Sequence, residues 1–288
     1  MKRIGLIILS IVMLISIAGC AKEEKQVTFK IGAIPDQNVS ELSRRFDAFS
    51  EYLSNETGLD VEYVQSQDYA SLVTAFNRGE IQLAWFGGLT GVQARSEVAG
   101  AEAIAQRPRD EKFTSVFIAD KSLNIRSLED IKGKSLTFGS ESSTSGHLMP
   151  RFFMMEAGLN PEEILNASPN YSGSHDKTIK LVESGAFEVG ALNAAVWESA
   201  VENATVDLEL VDAFYITPEY YDYNWTINDV KSVYGDNTKE NVKNALLSMG
   251  DEQAEILELF HTEKFIESNN ANYDAIKNVA IELGIIRE

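Results

Sequence analysis

The spacing of apolar and polar positions in the first part of the chain changes regularly between a period of two and a period of about 3.6. Segments of the first kind predict strands, and segments of the second kind predict helices. The predicted elements are, in order, strand 27–34, helix 40–56, strand 59–64, helix 68–77 and strand 81–86. This β-α-β-α-β order predicts a mostly parallel sheet covered by helices, and therefore an α/β fold.

The alternation restarts in the middle of the chain. The next predicted elements are helix 91–98, strands 101–105 and 112–119, helix 127–133, strand 136–138, helix 140–157, strand 168–171, helix 176–184 and strand 187–192. A restarted β-α-β pattern in a chain of this length suggests a second lobe. The remainder is predicted to contain strands 206–211 and 213–217, an aromatic loop at 218–226, and amphipathic helices at 238–249, 251–259 and 273–283.

Residues 136–150 join a short apolar strand to a helix through four consecutive hydroxyl residues, Ser142 to Ser145, followed by Gly146. A helix start leaves backbone N–H groups without intrahelical partners and carries about half a positive charge, so it binds small oxyanions. The hydroxyls add donors, and the glycine permits close approach. The alternative is an ordinary helix cap, which one hydroxyl would satisfy. The stretch therefore favours an anion site.

Two histidines lie near hydroxyl-rich helix starts. His175 stands in a second such start, at 172–177, which would complete a clamp if it faced the first one. A surface histidine beside a cap is the alternative. His147 is one turn into the helix that follows Ser145, where packing is the more frequent role.

In open parallel sheets, ligands bind beyond the carboxyl ends of the strands. This rule selects the loop 35–38, which contains Asp36, and the loop 87–91 as walls of one crevice. Trp85 and Phe86 end the strand before the second loop. They are either wall residues or ordinary core residues, because apolar residues at a strand end usually pack.

The first 20 residues have the pattern of a secretion signal: Lys2 and Arg3, an apolar run at 4–17, and Ala18-Gly19-Cys20. The end of this segment resembles the lipobox of bacterial lipoproteins. We therefore predict a signal peptide at 1–19 and a lipidated Cys20 at the start of a polar tether, 20–26. A retained membrane anchor is the alternative, but the apolar run is shorter than the roughly 20 residues that a spanning helix needs. Cys20 is the only cysteine, which excludes an internal disulfide.

Composition and charge limit the classes of partner that the protein is expected to bind. A hydrophobic content of 44% and a charged content of 24% are typical of a soluble globular protein. The formal net charge is −19, and loss of Lys2 and Arg3 with the signal makes it two units more negative. Nucleic acid and anionic lipid head groups are therefore poor partners, although a buried site can still be locally positive.

Four passages together resemble one protein family: 32–38, 83–88, 142–150 and 171–176. The aromatic passage from Tyr220 to Trp225 strengthens the resemblance. They resemble the PhnD-like phosphate-, phosphite- and phosphonate-binding proteins of ABC importers, most closely the branch often labelled selenate-binding. The resemblance covers nearly the whole mature chain, and the Ser-Thr-Ser-Gly helix start is its most specific motif.

The resemblance implies a two-lobed type 2 periplasmic-binding-protein fold with the ligand in the cleft between the lobes. Residues 27–118 and 215–288 would form the first lobe, and residues 119–214 would form the second. The chain would cross between them near 117–121 and near 212–217. Closure of the lobes would give the transporter one shape to recognise.

The family's ligand-binding residues are carried over by the resemblance alone. Ser143, Thr144 and Ser145 would hold the oxyanion, and His175 would reach it from the second lobe. The first lobe would contribute Trp85, Phe86, Tyr221, Asp222, Tyr223 and Asp36. The family varies at the positions of Asp36, Asn193 and His147, so the resemblance does not decide whether these three face the ligand.

Asp222 bears on which anion is bound. A carboxylate repels an unprotonated oxyanion, but it accepts a hydrogen bond from an anion that still carries a proton. If Asp222 or Asp36 lies in the pocket, protonated phosphate, phosphite or a phosphonate is favoured. If both point away, selenate or sulfate is favoured.

The expected function is that of an extracytoplasmic solute-binding lipoprotein of an ABC importer. Its expected partners are a small oxyanion, a permease with its ATPase, and the membrane through the lipid on Cys20. We expect a monomer without cofactor or metal. An enzyme is disfavoured because no metal-ligand spacing, Gly-x-Ser-x-Gly elbow or P-loop lysine is present. A phosphatase using a serine beside His175 and a membrane-tethered anion sensor are the alternatives.

Overall fold

The structure is a computed structural model that describes residues 27–287, apart from the side chains of Val39 and Glu41. The predicted signal peptide, Cys20 and the tether lie outside the described residues. Within the described range, no helix combines the length and apolar character that a membrane crossing requires.

Eleven strands are formed by the described residues. They are β1 (Phe29–Ala33), β2 (Val61–Gln65), β3 (Leu83–Phe86), β4 (Glu102–Gln106), β5 (Ser115–Asp120), β6 (Leu136–Phe138), β7 (Asn170–Tyr171), β8 (Val189–Asn193), β9 (Val211–Ile216), β10 (Asn224–Ile227) and β11 (Ile266–Glu267).

The α-helices of the same range are α1 (Val39–Thr57), α2 (Tyr69–Asn77), α3 (Gly88–Glu97), α4 (Met149–Glu156), α5 (Pro161–Ile164), α6 (His175–Glu183), α7 (Ala194–Glu202), α8 (Lys231–Tyr234), α9 (Thr238–Ser248), α10 (Ala254–Leu259) and α11 (Asp274–Glu282). Short 3₁₀ segments lie at Pro108–Lys112, Lys121–Leu123, Leu128–Ile131, Asp251–Gln253 and Asn270–Tyr273, and a π-helical turn spans Thr144–Leu148.

The strands form two sheets. The first has the order β11-β4-β10-β3-β1-β2, with β1 parallel to both β2 and β3, and the second has the order β7-β6-β8-β5-β9. The parallel β-α-β-α-β unit predicted for the first part of the chain is therefore confirmed. In the second sheet, β6 runs parallel to β7 and β8, as the restarted alternation indicated. The fold is the α/β, two-sheet type 2 architecture expected from the resemblance.

The chain passes between the sheets through two neighbouring segments, 107–114 and 217–223. They pair as antiparallel strands where the N–H of Phe113 donates to the carbonyl of Tyr220 at 2.8 Å and the reverse bond measures 2.9 Å. The expected lobe boundaries, 118/119 and 214/215, fall inside β5 and β9, which both belong to the second sheet. The division into lobes stays a prediction, and we propose that its boundaries lie in these two paired segments.

A buried ion pair braces the first of these segments. The guanidinium of Arg107 bonds the Asp110 carboxylate at 2.7 and 2.8 Å, and it also donates to the carbonyl of Phe260 at 3.0 Å. The same group lies over the rings of Trp85 and Tyr223. The crossing point is therefore fixed to the aromatic core of the first sheet.

Several elements differ from the sequence-based expectation, and α5, α8 and β11 are among those that were not predicted. The aromatic loop predicted at 218–226 ends in a strand, β10, which inserts antiparallel between β3 and β4. The buried Trp225 on this strand stacks on Phe49 at 4.5 Å, so its environment comes from distant parts of the chain. Helix α7 was not predicted, and the two strands expected at 206–217 are one, β9.

Candidate oxyanion-binding site

The hydroxyl-rich stretch leaves β6 and forms a wide first turn. The Ser143 hydroxyl accepts from the N–H of Gly146 at 2.9 Å, and the N–H of Leu148 donates to the carbonyl of Ser143 at 3.0 Å. One hydroxyl is therefore used as the cap, while Thr144 and Ser145 are buried beside it. The predicted helix 140–157 accordingly begins as a π-helical turn and continues as α4.

Proline 150 helps to explain this turn. Since Pro150 has no N–H, it cannot bond the carbonyl of Gly146 within the helix. That carbonyl instead accepts from the N–H of Gly139 at 2.8 Å, directly after β6. The turn is thereby tied to the end of its own strand, which holds the hydroxyls at the carboxyl edge of the second sheet.

His175 begins α6 and faces this turn. Its backbone N–H donates to the carbonyl of Asp36 at 3.0 Å, and its Nδ1 accepts from the N–H of Asn193 at 3.3 Å. Burial lowers the pKa of His175, although Asp36 and Asp176 oppose the shift. A neutral ring whose Nδ1 accepts carries its proton on Nε2, and this buried atom has no partner within the protein.

Close packing of the ring depends on glycine. A Cβ on Gly146 would lie 2.9 Å from Cε1 of His175 and 3.0 Å from the Ser143 hydroxyl. The glycine of the Ser-Thr-Ser-Gly motif therefore admits the imidazole against the π-helical turn.

Asp36 is held by Tyr223, which is itself held by Asn193. The Tyr223 hydroxyl donates to Oδ2 of Asp36 at 2.7 Å and accepts from the side-chain amide of Asn193 at 3.0 Å. The other carboxylate oxygen, Oδ1, is buried without a hydrogen-bond partner. Asn193 thus positions Tyr223 and also caps α7 through its own side-chain oxygen.

Asp222 has a similar division between its two oxygens. Oδ1 accepts from the N–H of Gly88 at 2.9 Å, while Oδ2 is buried and without a partner. Burial raises the pKa of Asp222 to about 7, although the Gly88 amide and the Thr144 hydroxyl partly offset it. The next amide, that of Leu89, donates to the Thr144 hydroxyl oxygen at 2.9 Å and so joins α3 to the π-helical turn after β6.

Tyr69 is a site candidate that the sequence analysis missed. Its hydroxyl is buried and unpartnered at the start of α2. Burial raises its pKa well above the ordinary value, and the nearby carboxylates of Asp36 and Asp222 add to the shift. A signal was present in the sequence, because Tyr69 follows the carboxyl end of β2 and the strand-end rule selects that position.

Four buried polar atoms of the described residues therefore lack partners in one region: Asp36 Oδ1, Tyr69 OH, His175 Nε2 and Asp222 Oδ2. Such an atom costs about 1–3 kcal/mol when nothing satisfies it. Two of the four are donors and two are carboxylate acceptors, and the hydroxyls of Ser143, Thr144 and Ser145 lie beside them. This arrangement suits a small ligand that both accepts and donates hydrogen bonds.

The remaining predicted residues occupy apolar surroundings. Trp85 stacks on Tyr223 at 5.6 Å inside the aromatic core, and Phe86 packs edge-on against Phe76 at 5.4 Å. The half-buried Tyr221 has its ring 6.0 Å from that of Tyr273. These side chains support the turn before α3, and their contact with a ligand stays a prediction.

His147 lies in the π-helical turn that follows β6. Its ring packs against Phe138 and Tyr171, with Nδ1 2.7 Å from the carbonyl of Glu141 and Nε2 3.2 Å from the Tyr171 hydroxyl. Burial lowers its pKa to about 4. Both ring nitrogens are therefore occupied by the protein, in line with a packing role. Over the described residues, no cluster of His, Cys, Asp and Glu could hold a metal ion.

The comparisons with known proteins agree with one another on the family to which the chain is similar. Residues 31–273 match the family model of the periplasmic substrate-binding protein of phosphonate ABC transporters. A protein of Prochlorococcus marinus (strain MIT 9301), named a probable ABC transporter phosphite-binding protein PhnD1, is 41% identical over 268 residues, which is 90% of each chain. The phosphate-import protein PhnD of Mycolicibacterium smegmatis is 32% identical over 174 residues, covering 57% of this chain and 54% of its own.

A solved structure extends this similarity to three dimensions. PhnD1 from Prochlorococcus marinus in complex with methylphosphonate superposes with a TM-score of 0.87 at 39% identity, covering 90% of this chain and 99% of its own. The matched relatives are transport components, which supports a role other than catalysis. The chain belongs to the family of periplasmic substrate-binding proteins of phosphonate ABC transporters.

Proposed function

We propose that this protein captures a phosphorus oxyanion that still carries a proton, either phosphite or a small phosphonate, and delivers it to an ABC permease. The observation that carries the proposal is the pair of buried carboxylates, Asp36 and Asp222, each with one oxygen that has no hydrogen-bond partner. A carboxylate oxygen in a dry site requires a donor, and a protonated oxyanion supplies one.

The same pair argues against sulfate and selenate. These ions carry no proton near neutral pH, so each buried carboxylate that stays ionised would repel them without compensation. None of the site residues is a lysine or an arginine. The negative charge of the ligand would be stabilised by hydrogen bonds from hydroxyls, from the Nε2–H of His175 and from amides at the start of the π-helical turn.

The relatives support the same class of ligand. The similar proteins are named for phosphite binding and phosphate import, and the superposed PhnD1 structure holds methylphosphonate. Phosphite, methylphosphonate and singly protonated phosphate share a tetrahedral phosphorus with three oxygens. They differ in the fourth substituent, which the apolar residues near Phe86 would face.

Lobe closure would couple capture to delivery. The bond from Leu89 to Thr144 and the bond from His175 to the carbonyl of Asp36 each join the two lobes next to the unpartnered atoms. A ligand that bridges the same groups adds contacts that exist only in the closed form, so it shifts the population towards that form. The permease would then recognise the closed shape.

Attachment to the membrane is a separate part of the proposal. We infer from the signal pattern that Cys20 is lipidated and that residues 20–26 tether a monomeric binding domain outside the cytoplasm. A tether of this kind keeps the protein near its permease and its ATPase. A membrane-tethered sensor would share the site but would dock to a receptor instead.

Titration calorimetry of the chain from Lys22 onward, after removal of bound ligand, tests the choice of anion. The panel is phosphite, methylphosphonate, phosphate, 2-aminoethylphosphonate, sulfate and selenate. We expect tight binding of at least one phosphorus oxyanion and weak binding of sulfate and selenate. Tight binding of selenate or sulfate alone would overturn the proposal. Release of phosphate from a monoester in the same preparation would revive the phosphatase alternative.

A further inference from the structure

The first turn of α3 has no cap of its own. Its N-cap residue is Gly87, which contributes no side-chain hydrogen bond. The two amides that follow are nevertheless satisfied, because Gly88 donates to Oδ1 of Asp222 and Leu89 donates to the hydroxyl oxygen of Thr144, both at 2.9 Å. The acceptors come from the crossing segment and from the other lobe, so this helix start collects groups from three parts of the fold.

The contact with Gly88 fixes how Asp222 is turned. With Oδ1 held by the amide, Oδ2 is the oxygen left for a ligand. The backbone of Asp222 is held as well, since its N–H donates to the carbonyl of Asp110 at 3.1 Å. The carboxylate is therefore anchored at one oxygen and at its own main chain.

The glycines before Leu89 make this approach possible. A Cβ on Gly87 would lie 3.2 Å from both Asp222 Oδ1 and the Thr144 hydroxyl oxygen, and one on Gly88 would lie 3.1 Å from the carbonyl of Tyr221. Contacts of this length are tighter than ordinary van der Waals contact. A side chain at position 87 would press on the two acceptors, and one at position 88 would press on the backbone next to Asp222. The Gly-Gly pair thus permits the two acceptors to converge on consecutive amides.

The other groups that act on the Asp222 carboxyl are two hydroxyls and one carboxylate. Thr144 and Ser145 approach it as hydroxyls, and Asp110 acts on it as a like charge through space. Among the groups that act on Asp222, Gly88 is the one held in a direct bond to Oδ1. The helix start also favours negative charge on this oxygen through its dipole.

We propose that the first turn of α3 is a positioning element for ligand selection. Its Gly88 amide holds Asp222 so that Oδ2 meets the ligand as an acceptor, and its Leu89 amide brings Thr144 beside it when the lobes close. This inference rests on the proposed function, because it names what makes the site select a protonated oxyanion.

The substitution Asp222→Asn gives a sharp test. An asparagine side chain has one acceptor and one donor group, and the Gly88 amide requires the acceptor. The side-chain NH₂ would then point at the ligand, which turns a carboxylate that accepts into an amide that donates. We expect phosphite affinity to fall by about 10- to 100-fold, the range for losing a hydrogen bond to a charged group, while affinity for selenate and sulfate rises.

The matched control is Asp229→Asn, which makes the same change at an exposed carboxylate. It should keep the wild-type order of affinities. If Asp222→Asn keeps phosphite affinity within threefold of the wild type and gains no selenate binding, the amide has turned freely and the positioning role is wrong.

If Asp222→Asn binds no anion, hydrogen exchange at single amides, followed by NMR, still tests the positioning role of α3. The Gly88 amide should stay protected in Asp222→Asn and lose protection in Asp222→Ala, and the Leu89 amide should exchange faster in Thr144→Val than in Thr144→Ser. Unchanged protection of Gly88 in Asp222→Ala would overturn the inference. Should the wild type bind no phosphorus oxyanion while these protection changes appear, the proposed ligand is wrong but the positioning role of α3 stands.

Discussion

At the scale of single residues, the structure assigns a different task to each oxygen of Asp222. One is bonded to the Gly88 amide, and the other is a buried acceptor without a partner. The raised pKa of this carboxyl, about 7, has a consequence for stability that can be measured without any ligand.

The free energy of unfolding should depend on pH through Asp222. An aspartate in an unfolded chain titrates near pH 4, so between about pH 4 and 7 the folded protein binds a proton that the unfolded chain does not. Stability therefore falls as the pH rises through this window and levels off above it. Relative to Asp222→Asn, we expect the ligand-free wild type to lose about 2–3 kcal/mol between pH 5 and pH 8. Urea unfolding of both proteins measures this, and parallel pH profiles would contradict it.

Thr144 is expected to act through its hydroxyl. The change Thr144→Val keeps the shape of the side chain but removes the acceptor for Leu89 and a donor for the anion. Binding of the preferred anion should weaken by about 1–3 kcal/mol, because a charged ligand loses a hydrogen bond in a dry site. Calorimetry measures the loss, with Thr144→Ser as the variant that should restore most of it. Equal affinity in all three proteins would remove Thr144 from the site.

Sequence reasoning located much of the site but not all of it. The run from Ser143 to Ser145 and His175 could be selected because hydroxyls and glycine at a helix start have a local signature. Tyr69 lacks that signature. Only its position after the carboxyl end of β2 points to it, and its surroundings depend on the distant carboxylates of Asp36 and Asp222. The packing of His147 against the second sheet likewise depends on Phe138 and Tyr171.

At the scale of elements, the π-helical turn at Thr144–Leu148 and the start of α6 form one unit. The ring of His175 lies against Gly146, whose carbonyl is bonded to Gly139. A helix was predicted here, but its wide first turn follows from the missing amide of Pro150 together with this outside bond, which a local pattern does not contain.

Gly146→Ala should disrupt this unit. The added Cβ would lie 2.9 Å from His175 and 3.1 Å from the Cα of Gly139, so either the ring or the strand end must move. We expect anion affinity to fall at least tenfold, with a smaller loss of stability, because the core packing away from this turn is preserved. Calorimetry and urea unfolding separate the two effects.

The control for this change is Gly250→Ala. Gly250 has φ −154° and no atom within 4 Å of an added Cβ, so alanine fits there. This variant should bind and unfold like the wild type. Full affinity in Gly146→Ala would show that the contact between the turn and His175 is dispensable for binding.

The strands show why some elements escaped prediction. β1, β2 and β3 have clear local patterns and pair in parallel as predicted. β10 is a short strand beside an aromatic-rich segment that begins with Pro218, and its partners β3 and β4 lie more than a hundred residues earlier in the chain. Its burial between them is a tertiary effect that outweighs local propensity.

At the scale of the whole molecule, two sheets are joined by two paired crossings, and the candidate site lies where loops of the two sheets meet. Segments 107–114 and 217–223 pair with each other, while Thr144 and His175 reach across to Leu89 and Asp36. The candidate site is thus built from residues next to both sheets. The tether predicted at 20–26 precedes β1 and is separate from these contacts in the sequence.

Cys20→Ser should therefore release the protein from the membrane without changing its affinity for the anion. Loss of the lipid attachment removes the anchor, whereas the residues of the site are untouched. Fractionation of cells, together with calorimetry of the released protein, measures both. The mature N-terminus must be determined, since an uncleaved signal would also hold the protein in the membrane. A cleaved variant that stays membrane-bound would contradict lipid anchoring.

The central claim is that a protonated phosphorus oxyanion bridges the lobes between the π-helical turn and Asp222. A crystal structure of the chain from Lys22 onward with phosphite tests it most directly. We predict ligand oxygens within hydrogen-bonding distance of Thr144 and of His175 Nε2, and one oxygen about 2.5–2.7 Å from Asp222 Oδ2, the range for a hydroxyl donating to a carboxylate. A phosphite bound elsewhere, or a site in which Asp222 turns away from it, would contradict the account.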